Sequence, residues 1–247
     1  MSVARCWAVL PAAGVGRRMG ADRPKQYLPL AGRAVIEHAV AALLDHPRVA
    51  GAVVALAADD HYWPALPIAA AARLRTVTGG AERADSVLAA LDLLAAGDAA
   101  ESAAAEGDLV LVHDAARPCL RRADIDALLE TCDARSGDAG FAGALLGLPV
   151  RDTMKRADAA GAVLETVERE RLWHALTPQI FRLGALRTAL REALAAGFAV
   201  TDEASAMQRA GRPPALVEGH EDNIKITRPR DLALAALYLS AQRGEKT

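Results

Sequence analysis

Cys6-Trp-Ala-Val-Leu10 leads directly into Pro11-Ala-Ala-Gly-Val-Gly-Arg-Arg-Met-Gly-Ala-Asp-Arg-Pro-Lys25, and this junction decides the fold. The apolar run reads as a buried strand. The loop that leaves it offers backbone N–H groups that can be aimed at a phosphate, because glycine has no Cβ to block close approach. Arg17, Arg18 and Lys25 add fixed positive charge in and just after the loop. An amphipathic helix follows from about Ala34 to His46, with Pro47 as a stop. Strand, glycine loop, cations and helix together predict an α/β unit with a polyphosphate cradle at a strand end.

The same alternation continues down the chain. Gly51–Leu56, Leu74–Thr78 and Leu109–His113 read as further strands, with helices over Ala84–Ala96 and Asp124–Ala134 between and after them. Gly97–Gly107 reads as an exposed connection, and Ala139–Leu148 as a fifth apolar segment. Continuous rather than alternating apolar strands imply cover on both faces. The spacing predicts a mostly parallel sheet with helices on both sides. Ligands in such sheets sit outside the carboxyl ends of the strands. That rule puts the 11–25 loop, Gly79-Gly80 and His113-Asp114 on one rim.

Beyond position 150 the character changes. Arg151–Arg156 and Ala162–Glu168 flank an Asp158–Gly161 turn signal and read as a charged, protruding hairpin. Trp173–Phe181 returns to apolar strand sequence. Helices are expected over about 183–196 and 201–210, the second opening on Thr201 as N-cap. Ala215–Glu218 and Asn223–Ile226 read as short strands. A last helix spans about 228–242, with Thr227 as N-cap. No linker or repeat divides the chain, so residues 1–247 are expected to form one domain carrying an arm over 150–170.

Composition narrows the function. The chain has 247 residues, 52% hydrophobic and 4% aromatic, and a net charge of −2. Near-neutral charge and few aromatics argue against nucleic-acid or membrane-surface binding, which need a basic field or stacking platforms. Cys6, Cys119 and Cys132 form no CxxC and no even-numbered framework, so buried thiols in a reducing cytoplasm are expected. No later run is long enough to cross a bilayer.

The loop fits neither common phosphate fingerprint. After Gly14-x-Gly16 the third glycine, Gly20, falls one place late for a dinucleotide fold, and no acid ends a second strand where a ribose needs one. Lys25 is not followed by Ser or Thr, as a P-loop requires. Asp114, at the end of a strand on the rim, is a natural Mg²⁺ ligand beside a phosphate loop. Arg117 could fork onto a second phosphate, and Lys225, on an apolar stretch after Asp222, asks for an anionic partner. Each also has a structural reading: a strand-end cap, or a solvated cation. Cations, one or two acids and glycine loops without an activated nucleophile suit phosphoryl or nucleotidyl transfer.

Pro11-Ala-Ala-Gly-x-Gly-x-Arg-Met19 with Pro24-Lys-Gln-Tyr27 resembles the nucleotide loop of the 2-C-methyl-D-erythritol 4-phosphate cytidylyltransferases of the non-mevalonate isoprenoid route. So do, in order, Gly79-Gly-Ala-Glu-Arg-Ala-Asp-Ser-Val87, Val112-His-Asp-Ala-Ala-Arg-Pro118, Pro149-Val-Arg-Asp-Thr-Met-Lys155, Leu172-Trp-His-Ala-Leu-Thr-Pro-Gln179, Thr201-Asp-Glu-Ala-Ser205 and Asp222-Asn-Ile-Lys-Ile-Thr227. The first loop is shared by many nucleotidyltransferases; the ensemble is specific and spans nearly the whole chain.

The resemblance implies a Rossmann-like nucleotidyltransferase fold and a cytoplasmic homodimer joined through the 150–170 arm. It implies transfer of a cytidylyl group from CTP to 2-C-methyl-D-erythritol 4-phosphate with release of pyrophosphate, supported by Mg²⁺ or Mn²⁺. Arg18 and Lys25 match the residues that stabilise the transition state, and Arg169 and Lys225 those that hold the attacking phosphate. Pro11, Ala12, Ala13, Gly14, Gly16, Gly80, Ser86 and Ala115 match nucleotide contacts. Asp114, Arg117, Thr153 and Thr201 match acceptor contacts, and Asp114 and Asp222 are the candidate metal ligands. Thr153 and Arg169 would serve the neighbour's site. One departure is Ala81, where some relatives carry an acid. A cytidylyltransferase for another polyol phosphate, such as ribitol 5-phosphate, is the alternative, and a nucleotide-binding regulator without catalysis is a reading of a different class.

Overall fold

The computed structural model describes residues 4–14, 23–97, 103–138 and 140–244. In chain order the elements are β1 (Cys6–Pro11), β2 (Pro29–Leu30), β3 (Arg33–Ala34), α1 (Val35–Leu44), β4 (Val49–Leu56), β5 (Leu74–Thr78) and α2 (Arg83–Ala96). Next come β6 (Leu109–Val112), α3 (Arg122–Ala134), β7 (Gly143–Pro149), β8 (Met154–Ala157), β9 (Val163–Val167) and β10 (Trp173–Arg182). The chain finishes with α4 (Leu183–Ala195), α5 (Glu203–Arg209), β11 (Ala215–Glu218) and α6 (Arg230–Arg243).

Seven strands form one sheet in the order β11-β7-β10-β6-β1-β4-β5. All neighbours run parallel except β10, which is antiparallel to both β6 and β7. The expectation of a mostly parallel sheet with helices on both faces is met. The strand period of two decides which face each side chain joins. Cys6, Ala8 and Leu10 of β1 and Leu109 and Leu111 of β6 enter one core with Ile36, Leu43, Leu128 and Leu129 of α1 and α3. Trp7, Val9, Val110 and Val112 point the other way, onto Val87, Leu91, Leu186 and Leu190 of α2 and α4. A strand with two buried faces has no polar face to show, hence its unbroken apolar run.

The strand tips continue their ladders a residue further at the carboxyl rim. Ala12 N–H donates to Ala55 O at 2.8 Å, Gly79 N–H to Leu56 O at 2.7 Å and His113 N–H to Val9 O at 2.9 Å. Three separate loops are therefore delivered side by side. At Gly79 a Cβ would stand 2.7 Å from both the Ala13 Cβ and the Ser86 Oγ, and at Gly80 2.3 Å from the Asp85 Cβ. Only glycine lets the β5–α2 turn close onto the first loop at that distance.

Four expectations need correction. Asn223–Ile226 is not a strand, because its carbonyls are spent on side chains: Arg117 Nη1 donates to Asn223 O at 2.7 Å and Lys25 Nζ to Ile226 O at 2.8 Å. Thr201 does not cap α5; Asp202 does, accepting from Ser205 N–H at 2.9 Å, since a carboxylate reaches the third amide of the helix. Thr227 does not cap α6 either: its N–H and its hydroxyl both donate to Asp231 Oδ2, at 2.8 and 3.0 Å, and the helix begins at Arg230. Of the Gly97–Gly107 connection, residues 98–102 lie outside the described residues; in the rest Ala104 packs into the core and Arg5 Nη2 donates to Ala103 O at 2.7 Å, so it is not exposed throughout. The charged hairpin is observed: β8 and β9 pair with each other, outside the main sheet, and their side chains are almost all exposed. No helix among the described residues is long and apolar enough to cross a membrane.

Candidate active site

The rim loops enclose a cleft of about 200 Å³. Its floor is Pro11, Ala12, Ala13 and Gly14 from the end of β1, its walls are Gly80–Arg83 and Ser86 from the start of α2, and Asp114–Ala116 follow β6. Lys25 and Lys225 reach it from either end of the chain. Among the described residues a Cβ on Gly14 would meet nothing within 4 Å, so the glycine relieves no packing clash with them and keeps its backbone bare towards the cleft. The loop is pinned from behind by buried Gln26, whose Nε2 donates to Ala12 O at 2.7 Å and to Gly14 O at 3.1 Å. The Ser86 hydroxyl accepts from Gly80 N–H at 3.2 Å and donates to Glu82 O at 3.2 Å, which ties the second loop to α2.

Asp114 is the electrostatic centre. Its Oδ1 accepts from Arg83 Nε at 3.1 Å, and its Oδ2 lies 2.8 Å from Lys225 Nζ and 3.5 Å from Arg117 Nε. Burial would push this carboxyl up, but the Arg83, Lys225 and Arg117 charges outweigh burial and hold it well below the usual carboxylate range. Arg83 forks with its other two nitrogens onto Glu203, at 2.6 and 3.1 Å. Burial works against the Arg83 charge; Glu203 and Asp114 more than compensate and raise its pKa.

Behind Asp114, fully buried His113 sets the backbone. Its Nε2 lies 3.0 Å from Arg117 O and its Nδ1 3.1 Å from Thr177 Oγ1, which in turn accepts from Asp114 N–H at 3.1 Å. A carbonyl can only accept, so Nε2 carries the proton and Nδ1 accepts from the Thr177 hydroxyl. Burial pushes the His113 pKa down to about 4, so it is a neutral spacer near pH 7. None of the three thiols is poised for attack. All are buried, and burial pushes Cys132 up to about 11, Cys119 to about 12 and Cys6 higher still.

Of the sequence-derived site residues, the fold gathers Pro11, Ala12, Ala13, Gly14, Lys25, Gly80, Ser86, Asp114, Ala115 and Lys225 around one cleft. Gly16 and Arg18 lie outside the described residues. Others fall elsewhere. Arg117 is buried behind Asp114 and braces the Asn223 carbonyl. Asp222 does not line the cleft: its Oδ2 is taken by Arg121 Nη2 at 2.6 Å and by Gln242 Nε2 at 2.8 Å. Thr153 and Arg169 sit at the base of the hairpin, exposed, with Arg169 Nη1 donating to Arg151 O. Thr201 is exposed two residues before Glu203. Sequence reasoning missed Arg83 and Glu203 as a pair, since 120 positions separate them. The available signal was that Arg83 falls in the block after Gly79-Gly80 and Glu203 in the block Thr201-Asp-Glu-Ala-Ser205.

Residues 6–241 match the IspD family model, 2-C-methyl-D-erythritol 4-phosphate cytidylyltransferase. A protein of that name from Ectopseudomonas mendocina is 58% identical over 227 residues, 92% of each chain. Another of that name, from Aeromonas hydrophila, is 54% identical over 239 residues, 97% of this chain and 91% of the relative. Among solved structures, a 4-diphosphocytidyl-2C-methyl-D-erythritol synthase superposes with a TM-score of 0.79 at 35% identity, covering 96% of this chain and all of that one. The 2-C-methyl-D-erythritol 4-phosphate cytidylyltransferase from Thermus thermophilus gives 0.73 at 33% identity, covering 94% and 98%.

Proposed function

The chain belongs to the 2-C-methyl-D-erythritol 4-phosphate cytidylyltransferase family, and from that premise we propose how its cleft does the family's chemistry. It transfers the cytidylyl group of CTP to 2-C-methyl-D-erythritol 4-phosphate, giving 4-diphosphocytidyl-2-C-methyl-D-erythritol and pyrophosphate. A phosphate oxygen of the acceptor attacks the α-phosphorus; the new P–O bond forms as the bond to the β-phosphate oxygen breaks and pyrophosphate leaves with that electron pair. In our reading Pro11–Gly14, Gly80, Ser86 and Ala115 cradle the nucleotide. Arg18 and Lys25 offset charge on the triphosphate, and Lys225 holds the acceptor phosphate beside Asp114. No covalent intermediate with the protein is needed, because positioning and fixed charge carry the catalysis.

One observation carries this reading. Lys25 and Lys225, at opposite ends of the sequence, line one cleft around a bare glycine backbone, and Lys25 is held there by the carbonyl of Ile226, next to Lys225. Two cations on one cleft suit two phosphate groups brought together.

The donor set fits Mg²⁺ as an ion carried in on the triphosphate. Among the described residues no three His, Cys, Asp or Glu side chains gather, and Mg²⁺ commonly takes one carboxylate plus phosphate oxygens and waters. Asp114 would be its protein contact, and the ion would screen triphosphate charge. Asp222, which does not line the cleft, would not. We read the chain as one cytoplasmic domain whose 150–170 arm joins a second copy, placing Thr153 and Arg169 at the partner's site. Val163 and Leu164, both largely exposed on the hairpin, suit such burial.

The test is pyrophosphate release with a panel of nucleotides and acceptors. Turnover is expected with CTP and 2-C-methyl-D-erythritol 4-phosphate together and not with either alone. Faster turnover with ribitol 5-phosphate would reassign the acceptor.

A further inference from the structure

Glu203 is a carboxylate with no exposed surface, at the first turn of a short helix, pointing at neither the solvent nor the cleft mouth. Both its oxygens are taken by the Arg83 fork, at 2.6 and 3.1 Å. That leaves Arg83 Nε for Asp114 Oδ1, at 3.1 Å, and Asp114 Oδ2 for Lys225 Nζ, at 2.8 Å. An unbroken line of charges, Glu203–Arg83–Asp114–Lys225, thus runs from α5 across the strand tips to the loop after β11. Resting on the reading above, in which Lys225 holds the acceptor phosphate, we propose that Glu203 is a positioning residue: acting through Arg83, it fixes the Asp114 carboxylate and thereby the Lys225 ammonium.

The geometry of guanidinium gives the reason. Its donors lie in one plane at fixed angles, so a fork seated on Glu203 dictates where Nε points. Without Glu203 the two freed nitrogens would seek the nearest remaining anion, and Asp114 is already within reach of Arg83. A guanidinium turned fork-on to Asp114 would compete with Lys225 for the same two oxygens. Lys225 is partly exposed and has no rigid stem, so its place depends on the carboxylate it faces. Glu203 is itself held from two sides. Asp202 caps α5, and buried Gln179 takes Ala204 N–H at 2.8 Å and donates to Asp202 Oδ2 at 2.9 Å. Replacing a whole buried ion pair is often nearly neutral for stability, whereas removing one partner alone is costly.

The experiment separates register from stability. In the doubly neutral variant Arg83→Gln/Glu203→Gln neither member of the buried pair is left as a lone charge, and Asp114, which loses its Arg83 contact, keeps Lys225 and Arg117. We expect thermal stability near that of the parent and kcat/KM for the acceptor lowered by about tenfold or more, a larger factor than any change in KM for CTP. Parental acceptor efficiency in that variant would overturn the proposal. Lys225→Ala is run beside it. If Lys225→Ala leaves acceptor kinetics untouched, the underlying reading falls and the proposal with it; if it impairs acceptor use while the double variant does not, the proposal alone falls. Should the double variant not fold, Glu203→Asp, one methylene short of the fork, takes its place. A drop confined to the acceptor supports the proposal, and an equal loss for both substrates or no loss overturns it.

Discussion

Two arginine–glutamate pairs in this chain have the same 2.6 Å separation and opposite settings. Arg83–Glu203 lies at the cleft, with side-chain exposures of 28% and 0%; Arg156–Glu165 ties β8 to β9 on the hairpin, with 63% and 56%. The first joins residues 120 apart and the second residues 9 apart. The cleft is braced by long-range contacts of this kind throughout, from Lys25 to Ile226 and from Asp114 to Thr177. The hairpin is braced by its own neighbours, such as Lys155 to Thr166. Distance in a static structure therefore says little about worth; burial and what depends on the pair say more. The cleft is a product of the whole fold, whereas the hairpin keeps its shape locally and presents Thr153 and Arg169 outward.

The sharpest way to break the comparison is to cut one partner from each pair. Arg83→Gln leaves a carboxylate buried without a counter-charge, and a loss of about 3–5 kcal/mol in unfolding free energy is expected. Urea denaturation measures it. A loss no greater than that of an exposed pair would show that the cleft relaxes as easily as the hairpin.

Lys25→Ala tests the chemistry of the cleft without emptying its core. Removal of one donor from a charged transition state costs about 10²–10³ in rate, read as pyrophosphate release. The hairpin enters through mixing. If Arg169 serves the partner's site, a dimer of a Lys25→Ala chain with an Arg169→Ala chain has one intact site. Random exchange of equal amounts makes half the dimers mixed, so about a quarter of parental activity should return. No recovery on mixing would place Arg169 at its own chain's site.

A smaller effect is expected from pH. His113 is neutral in the folded chain, with its pKa pushed down by burial to about 4 from an ordinary 6.5. The unfolded chain takes up a proton over that window and the folded chain does not. Stability from His113 is therefore fully present above about pH 6.5 and lost as pH falls towards 4, by at most roughly 3 kcal/mol. Asp114 acts later: with its pKa depressed in the folded chain, its stability is present above the ordinary carboxylate pKa and is lost as pH falls below it. Unfolding free energies at pH 7 and 5 should differ less in His113→Gln than in the parent. An unchanged difference would mean another group carries the slope.

These contrasts also explain what the sequence could and could not tell. Strands covered on both faces announce themselves, as Cys6–Leu10 and Leu109–Val112 do, because burial demands an unbroken apolar run. Glycine turns at strand tips mark the rim, so the floor and walls of the cleft were legible. The antiparallel direction of β10 was not, since direction leaves no trace in the apolar pattern. Asn223–Ile226 passed for a strand because its alternation is real, yet its carbonyls answer to Arg117 and Lys25, which no local window includes. For the same reason Asp222 read as a free acid beside Lys225, while Arg121, 101 positions away, holds it. Side chains of β8 and β9 pair within reach of a local reading, while Arg151 at the base of the arm reaches Glu221.

The smallest expected effect closes the comparison. Arg156 and Glu165 face each other across β8 and β9 at the distance seen in the cleft, but water reaches both. Holding two long side chains in register costs rotamer freedom, and solvent screens their attraction. A double-mutant cycle over Arg156→Ala and Glu165→Ala should therefore return a coupling below about 1 kcal/mol, falling further as salt is raised. The cycle is cleanest in a chain kept dilute enough to be monomeric, where no partner shields the pair. Repeated at concentrations that favour dimers, it becomes a probe of the arm itself. A coupling that rises with protein concentration means that the pair is being buried, whereas a value that stays flat leaves the hairpin in water and its dimer role unsupported.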